Sequence, residues 1–174
     1  MASNNTDKEI AVQWIKDTFP TDSTILDVGA NDGKWKYLLE EYHNMDAVEA
    51  YWLNILMTRK APYRKITRAK IEDVEYEWYD LIIFGDVIEH MSVETAQKVL
   101  EYALPRCKDM LVVVPFKLKQ DALYGNPYEI HIQDDLTASI MKKRYPYLEV
   151  LHDTGKNYCY YHKRKKILRR TWFL

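Results

Sequence analysis

The chain has 174 residues, of which 47% are hydrophobic and 29% are charged, and its formal net charge is −1. This length and composition are typical of one globular domain, and the balanced charge excludes a globally basic nucleic-acid binder. The longest strictly apolar stretch, residues 111–116, is far shorter than the roughly 18 residues of a membrane-spanning helix, so we expect no membrane span.

The N-terminal sequence and the cysteine pattern indicate the cellular compartment of the protein. Residues 1–7 contain no apolar core of a secretory signal. Cys107 and Cys159 form neither a CxxC motif nor a disulfide framework, which is typical of a reducing compartment. We therefore expect a cytoplasmic protein.

Hydrophobic periodicity predicts five helices that alternate with strands. The first helix has Thr6 or Asp7 as its cap and ends before Pro20, and the last begins at Asp134 or Asp135. The predicted helices cover residues 8–19, 33–43, 52–59, 93–104 and 135–145. The predicted strands cover residues 24–28, 47–49, 63–69, 80–84, 110–114, 148–151 and 158–161.

This alternation predicts the fold. Strands that alternate with helices at this spacing form a mainly parallel sheet with helices on both faces. We expect a doubly wound α/β domain with a seven-stranded sheet, which ends in an antiparallel hairpin. The domain covers residues 1–163. It is followed by a basic tail, residues 164–174.

Glycines mark the ends of two predicted strands. Gly29 and Gly33 follow the first strand, and Gly85 follows the fourth. Open α/β sheets bind ligands at the carboxyl ends of their strands, and a glycine there lets a ligand approach the backbone closely. Glu49 ends the second strand, where a carboxylate can accept hydrogen bonds from both ribose hydroxyls of a nucleotide-like cofactor. The sequence therefore predicts a cofactor site at this edge.

The segment after the first strand helps to choose the cofactor. A dinucleotide site has the pattern G-x-G-x-x-G, whose second glycine lets the backbone meet the pyrophosphate. Gly29 is followed instead by Ala-Asn-Asp-Gly. Asp32 and the nearby Asp27 would repel a pyrophosphate but suit a cationic amino-acid group. S-adenosylmethionine, which carries a sulfonium and an ammonium and no phosphate, is therefore favoured over a nicotinamide dinucleotide.

Several segments resemble class I S-adenosylmethionine-dependent methyltransferases, in the same order and at similar spacing. Residues 27–33 resemble the first motif, with Asn31 in place of the commoner middle glycine. Glu49 matches the acidic residue that binds the ribose. The remaining matches are residues 71–73 (adenine segment), 80–90 (fourth strand, with its Glu-His pair), 111–115 (fifth strand) and the terminal hairpin.

The resemblance implies a Rossmann-like methyltransferase fold over roughly residues 7–163 and a set of cofactor contacts. We expect the methionine ammonium near Asp27 or the Gly29 carbonyl, and the adenine beside Ile71 and Glu72. S-adenosylhomocysteine would be the product. The residues assigned to the cofactor are Asp27, Gly29, Ala30, Asn31, Gly33, Glu49, Ile71, Glu72, Gly85 and Asp86.

Methyl transfer from a sulfonium is an in-line displacement, so positioning supplies much of the catalysis. A hydroxyl acceptor also needs a base. Glu89 and His90 follow the fourth strand, and His131 lies in the loop after the fifth, together with Tyr124, Tyr128 and Glu129. We expect His131 to be the base, and Glu89 with His90 to brace the pocket.

The segment around His131 resembles one in small bacterial methyltransferases of polysaccharide and secondary-metabolite type. This resemblance suggests a small-molecule or saccharide-type acceptor that is methylated on oxygen or nitrogen.

A metal site is an alternative for the same region. Ubiquinone-type O-methyltransferases have a similar E-x-x-E-H segment that binds a divalent cation, and Asp86, Glu89 and His90 match its positions. Oxygen and nitrogen ligands of this kind can hold Mg²⁺ or a transition ion. Because Glu89 and His90 can equally cap the next helix and brace the pocket floor, we expect no metal.

Two other functions and the role of the tail stay open. The chain could bind the cofactor without turnover, or it could be a nicotinamide-dependent oxidoreductase. Six basic residues and no acidic one lie between Lys163 and Arg170, and five of the six belong to the tail. It is either solvated surface or a contact with an anionic acceptor, with nucleic acid or with the acidic body of a second copy. We expect a monomer or a homodimer.

Overall fold

A computed structural model describes residues 7–123 and 125–164 of the chain. The helices are α1 (Lys8–Thr18), α2 (Lys34–Leu38), α3 (Trp52–Thr58), α4 (Val93–Ala103) and α5 (Ala138–Arg144). The strands are β1 (Ile25–Val28), β2 (Met45–Glu49), β3 (Lys65–Arg68), β4 (Tyr79–Gly85), β5 (Cys107–Pro115), β6 (Leu148–Asp153) and β7 (Tyr158–Lys163). Of the predicted basic tail, only Arg164 lies within the described residues.

The seven strands form one sheet in the order β3-β2-β1-β4-β5-β7-β6. Strands β1 to β5 pair in parallel, and β7 runs antiparallel to both β5 and β6. The predicted doubly wound sheet with a terminal antiparallel hairpin is thus confirmed. The strand order reverses between β1 and β4, which is where a doubly wound sheet opens a crevice for a ligand.

Helices cover the two faces of the sheet. The chain steps from β1 to β2 and on to β3 in one direction but from β4 to β5 in the other, so right-handed crossovers place α2 and α4 on opposite faces. One core packs Ile15 of α1 and Trp35 of α2 against the sheet. The other packs Leu100 of α4 and Met141 of α5 against it. Residues 81–84 of β4 are fully buried, as expected of a strand that is covered on both faces.

Two helices are shorter than the sequence predicts. Helix α2 ends at Leu38 rather than near residue 43, because the Lys36 ammonium folds back and donates to the Tyr42 carbonyl at 2.6 Å. Helix α5 begins at Ala138 rather than at Asp134 or Asp135. The Thr137 hydroxyl accepts from the Ile140 amide there, while the Asp135 carboxylate binds Arg144.

Buried acidic residues explain why two strands are longer than predicted. Asp46 in β2 is buried because its carboxylate accepts from the Arg64 guanidinium at 2.9 and 2.7 Å and from the Tyr79 hydroxyl at 2.9 Å. Asp109 in β5 accepts from the Met110 and Lys163 amides. Because these partners come from distant segments, the sequence pattern alone ends the strands too early.

The start of α1 also differs from the prediction. Asp7 is in the left-handed region, with φ 56°, and does not cap the helix with its side chain. Its carboxylate lies 2.9 Å from His152 Nε2 on β6 instead, while Thr6, the other predicted cap, lies outside the described residues. None of the helices in residues 7–123 and 125–164 is long and apolar enough to cross a membrane.

Candidate functional site

A cavity of about 480 Å³ opens at the carboxyl ends of β1, β2, β4 and β5. This is the crevice at the reversal of strand order, and it collects most of the residues that the sequence predicts for a cofactor. Those that line it are Gly29, Ala30, Asn31, Glu49, Ile71, Glu72, Gly85 and Asp86. The three predicted catalytic residues, Glu89, His90 and His131, line it too.

The loop after β1 is fixed by backbone conformation and packing. Gly29 has φ +68°, and a Cβ there would lie 2.7 Å from a methyl group of Val87. A Cβ on Gly85 would lie 2.2 Å from Trp35 Nε1. The protein's own packing therefore requires both glycines. The sequence pattern instead suggested that these glycines allow a ligand to approach the backbone.

Glu49 lies at the end of β2 and ties the cavity wall together. One carboxylate oxygen accepts from the Asn31 amide and the other from the Tyr51 amide, each at 2.8 Å. Burial raises the pKa of Glu49, and hydrogen bonds from the Tyr51, Asn31 and Ala50 amides and from the Asn54 side chain act in the opposite direction. A carboxylate has about four acceptor sites, so a ligand hydroxyl would bind Glu49 in place of the Asn54 side chain, which also lines the cavity.

Asp27 and Gly33 do not line the cavity, although both were predicted to contact the cofactor. The Asp27 carboxylate is buried below the loop, where the Tyr63 hydroxyl donates to it. Gly33 packs against Ala61, 2.5 Å from where its Cβ would lie. Both residues are buried against other parts of the chain and are not exposed in the cavity.

We predict that Asp27 makes stability depend on pH. Burial raises the pKa of Asp27 to about 7, far above the value of about 3.9 in an unfolded chain. The folded state thus keeps a proton that the unfolded state releases, so stability falls as pH rises from about 4 to about 7. Urea unfolding of Asp27→Asn should show a smaller fall across this window than the wild type, by the order of a few kcal/mol.

The comparison with the wild type isolates Asp27. Burial also raises the pKa values of Glu49, Glu89 and Glu129, and these groups act in the same direction in both proteins. Equal slopes for the wild type and Asp27→Asn would show that this carboxyl does not titrate in the window.

Asp86, which lines the cavity, lies next to Lys8 of α1, which does not line it. The Lys8 ammonium lies 3.7 Å from the Asp86 carboxylate and 5.0 Å from the centre of the Trp35 ring. Asp86 follows β4 directly and has φ 57°, a left-handed conformation. Helix α1 thus contributes a buried cation to the site, which the sequence pattern did not indicate because Lys8 stands on an otherwise ordinary amphipathic helix.

Carboxylates dominate the cavity wall. Asp32, Glu49, Glu72, Asp86, Glu89 and Glu129 line it, against two lysines, Lys34 and Lys70. Proximity to the Glu49 and Asp86 carboxylates adds to burial in raising the pKa of Glu129. Even without Glu89, whose pKa is raised well above its ordinary value, and with Lys8 included, five acidic groups stand against three lysines. This excess of acidic groups disfavours a pyrophosphate and favours a cationic ligand.

Two histidines face each other beside Glu89. The rings of His90 and His131 are 4.8 Å apart, and His90 Nε2 is 3.9 Å from a Glu89 oxygen. His90 Nδ1 lies 3.2 Å from the Ile130 carbonyl and His131 Nδ1 lies 2.8 Å from the Leu118 carbonyl. Because a carbonyl only accepts, each ring carries a proton on Nδ1, and the lone pair of the neutral ring is then on Nε2.

Burial sets the charge of the Glu89–His90 pair. Burial, and then the neighbouring Asp86 carboxylate, raise the pKa of Glu89 well above its ordinary value. Burial, and then His131, lower the pKa of His90 to about 4. His90 is therefore neutral near pH 7, and neither carboxylate oxygen of Glu89 has a hydrogen-bond partner in the part of the chain that the structure describes.

The residues that could hold a cation differ from those suggested by the sequence. Glu89, His90 and His131 each offer one ligand atom, and these atoms lie within 4.8 Å of one another. Asp86, which the sequence suggested, is not in this group and faces Lys8 instead. A carboxylate with two imidazoles fits a divalent transition ion, so these three residues would hold one if it bound.

The loop that carries His131 is pinned by a residue that sequence reasoning missed. Gln133 is buried; its amide donates to the Ile88 carbonyl at 2.8 Å, and the Tyr145 hydroxyl donates to its oxygen at 2.9 Å. The Ile132 and Gln133 amides both donate to the Glu89 carbonyl. These bonds join the ends of β4 and β5, and a glutamine in a polar loop gives no sequence signal of such a role. Tyr124 lies outside the described residues.

Comparisons with known proteins bear on the fold. The sequence matches no protein-family model and no curated protein. A methyltransferase of Clostridium acetobutylicum that depends on S-adenosylmethionine has a similar structure, with a TM-score of 0.71, 12% identity and 92% of each chain covered.

Two other solved structures have the same topology. A candidate O-methyltransferase of Nostoc punctiforme has a TM-score of 0.67 at 13% identity; the match covers 90% of this chain but only 55% of that one, so this chain spans about half its length. Magnesium protoporphyrin IX methyltransferase of Synechocystis, solved with bound S-adenosylmethionine, has a TM-score of 0.65 at 10% identity, with 91% and 79% covered. This chain has the Rossmann-like fold of the class I S-adenosylmethionine-dependent methyltransferases.

Proposed function

We propose that the protein transfers a methyl group from S-adenosylmethionine to the oxygen or nitrogen of a small-molecule or saccharide-type acceptor. The observation that carries this proposal is the polarity of the cavity. Glu49 and other carboxylates line the cavity together with two imidazole rings, those of His90 and His131. A cationic cofactor suits the carboxylates, and removal of a proton suits the imidazole rings.

The residues present fit S-adenosylmethionine. The Glu49 carboxylate would accept from the ribose hydroxyls in place of the Asn54 side chain. The cavity segment formed by Ile71 and Glu72, a 3₁₀ turn after β3, is the proposed adenine contact. The carboxylates of Asp86 and Glu129 favour the sulfonium and ammonium through their charge. When bound, the cofactor supplies an electrophilic methyl carbon.

His131 supplies the base in this proposal. Its Nδ1–H donates to the Leu118 carbonyl, so Nε2 can accept the proton of an acceptor hydroxyl. With the cofactor bound, the methyl group would pass from its sulfur, which would retain the bonding electron pair, to the acceptor oxygen. His131 would hold the proton that the acceptor loses.

Two alternatives to a methyltransferase differ from it in the base or in the cofactor that they require. A protein that only binds the cofactor would keep Glu49 and need no base. A nicotinamide-dependent oxidoreductase would have to place a pyrophosphate against Asp32 and its carboxylate neighbours, which the charge of the cavity disfavours.

Calorimetry is the test of the proposed function. We expect S-adenosylmethionine and S-adenosylhomocysteine to bind the wild type, and NAD to bind at least about 100-fold more weakly because of repulsion by the carboxylates. Incubation with cofactor labelled on its methyl group and a panel of hydroxyl and amine acceptors then tests transfer. Absence of binding by both sulfur ligands would exclude the proposal, and binding without transfer to any acceptor would favour the alternative without turnover.

A further inference from the structure

Helix α3 has an exposed apolar face. Trp52, Leu53, Leu56 and Met57 are 52%, 39%, 53% and 46% exposed. At about 100° per residue, these four positions lie within about 140° of arc on one side of the helix. Single exposed apolar residues are ordinary, but four large ones on one side of a short helix indicate an interaction surface. We call these four side chains the apolar face of α3.

The opposite side of α3 is held against the protein. Ile55 is 5% exposed and Thr58 is fully buried. The Thr58 hydroxyl contacts the Asn31 carbonyl of the loop after β1 and the Asn54 carbonyl of its own helix. These contacts fix the rotation of the helix about its axis, so the apolar face cannot turn into the core of its own chain.

The chain around the apolar face is basic. Residues 50–71 contain six basic residues and no acidic one, and all six are exposed. Two of them, Arg59 and Lys60, directly follow α3. The whole chain has 25 basic and 26 acidic residues, so the remainder, with 19 and 26, is acidic. Positive charge is therefore concentrated in the segment that carries the apolar face.

Arg68 of β3 lies on the same face of the sheet as α3. Right-handed crossovers place α3 on the face that α2 covers, opposite α4. Lys65 lines a second cavity together with Tyr102 of α4, so it points to the α4 face. Because side chains alternate along a strand, Arg68 points to the other face. Arg59, Lys60 and Arg68 are therefore three exposed cations on the side of the sheet that carries the apolar face.

We propose that the apolar face of α3 docks onto an anionic lipid bilayer, with Arg59, Lys60 and Arg68 at the lipid headgroups. The apolar side chains of an interfacial helix enter the boundary between headgroups and acyl chains, to a depth of about 5–10 Å. Cations beside such a helix are attracted to anionic lipids within a Debye length, about 8 Å at physiological salt. Because the helix is short, docking is reversible and needs both contributions.

Docking would hold the candidate site close to the bilayer. Asn54, on the buried side of the same helix, lines that cavity. An α-helix with its side chains is about 10 Å across, so the cavity wall lies about that distance from the docked face. The docking itself does not depend on methyl transfer.

Two other occupants fit this surface less well. A second copy related by a two-fold axis through the apolar face would bring its Arg59 and Lys60 toward those of the first, and residues 50–71 offer no acidic side chain to neutralise them. A nucleic acid would neutralise the cations, but its bases could stack only on Trp52 and would leave the aliphatic side chains exposed. An anionic bilayer supplies both an apolar layer and negative charge.

Vesicle sedimentation of the full chain tests the docking. The wild type should bind vesicles of phosphatidylcholine with about 30% phosphatidylserine at least about ten times more strongly than vesicles of phosphatidylcholine alone. Raising the salt concentration from about 0.1 M to about 0.5 M should weaken binding to the anionic vesicles, because it shortens the range of the attraction.

Removal of apolar side chains tests the role of α3. Trp52→Ser with Leu56→Ser should weaken binding to the anionic vesicles by about tenfold or more, because both side chains enter the bilayer in the proposed contact. Trp78→Ser with Val150→Ser is the matched control. It removes side chains of similar exposure, 53% and 51%, from the segment before β4 and from β6, and it should leave binding unchanged.

Charge reversal tests the second contribution. Arg59→Glu with Lys60→Glu should weaken binding to the anionic vesicles by about tenfold or more. Lys142→Glu with Lys143→Glu, which changes two exposed lysines of α5, is the matched control and should have little effect. The melting temperatures of all four variants should stay within about 2 °C of the wild type, because the changes are on the surface.

The proposal is overturned if the wild type does not bind the anionic vesicles, or if Trp52→Ser with Leu56→Ser binds them as well as the wild type does. Equal losses in this variant and in Trp78→Ser with Val150→Ser would also overturn it, since the contact would then not be specific to α3. Sedimentation velocity without vesicles gives the oligomeric state. A dimer that the Trp52→Ser, Leu56→Ser variant cannot form would assign the apolar face to a second copy instead.

Discussion

Replacing His131 with alanine is expected to lower turnover by about 10²- to 10⁴-fold and to leave cofactor affinity nearly unchanged. A positioned general base typically contributes this factor. The Leu118 carbonyl holds a proton on His131 Nδ1, so the variant loses Nε2, the nitrogen that is proposed to accept the acceptor's proton. Steady-state kinetics with the methyl acceptor and calorimetry with S-adenosylhomocysteine measure the two quantities separately.

His90→Ala is the matched control, because its ring lies 4.8 Å from that of His131. The pKa of His90 is lowered to about 4, which makes it a weak base near neutral pH. Its Nδ1–H donates to the Ile130 carbonyl and so joins the loop to the end of β4. We therefore expect His90→Ala to reduce both turnover and affinity. A fully active His131→Ala would show that positioning alone drives the reaction.

Removal of divalent ions tests whether His131 acts as a general base or as a metal ligand. If His131 acts as a free base, treatment of the wild type with a chelator should leave turnover and the thermal midpoint unchanged. If it instead holds an ion with Glu89 and His90, whose ligand atoms lie within 4.8 Å of its own, chelation should abolish turnover. Direct metal analysis of the purified protein distinguishes these outcomes without reference to activity.

The fold could be predicted because its strongest signals are local. Residues 81–84 of β4 form a continuous apolar run, and the structure buries all of them between helices. Element ends were less predictable, because side chains from elsewhere decide them. Helix α2 ends where Lys36 binds the Tyr42 carbonyl, and β2 extends to include Asp46 only because Arg64 neutralises it.

The site was predictable where topology alone brings residues together. Glu49 ends β2, and His90 and His131 follow β4 and β5. Because the carboxyl ends of parallel strands lie at the same edge of a sheet, these residues come together even if the predicted strand ends are off by a few residues. Lys8, Tyr63 and Gln133 gave no such signal, because each reaches the site through a contact between distant segments. Such contacts are visible only in the folded chain.

Glu49→Ala is expected to weaken binding of S-adenosylhomocysteine by about 1.5–3 kcal/mol, as for the loss of hydrogen bonds to a charged group. This corresponds to about 10- to 150-fold in the dissociation constant. The same carboxylate also accepts from the Asn31 and Tyr51 amides, so the variant removes a brace as well as a ligand contact. Titration calorimetry of the wild type and Glu49→Ala gives the total effect.

An analogue of S-adenosylhomocysteine without the two ribose hydroxyls separates the two roles. If Glu49 binds the ribose, removing the hydroxyls should weaken binding to the wild type by about 10-fold or more and have little further effect on Glu49→Ala, since the interaction is already lost. If Glu49 only braces the Asn31 loop, the analogue should lose the same factor against both proteins. That outcome would remove the ribose contact from the proposed site, and with it the strongest reason to place a nucleoside cofactor beside β2.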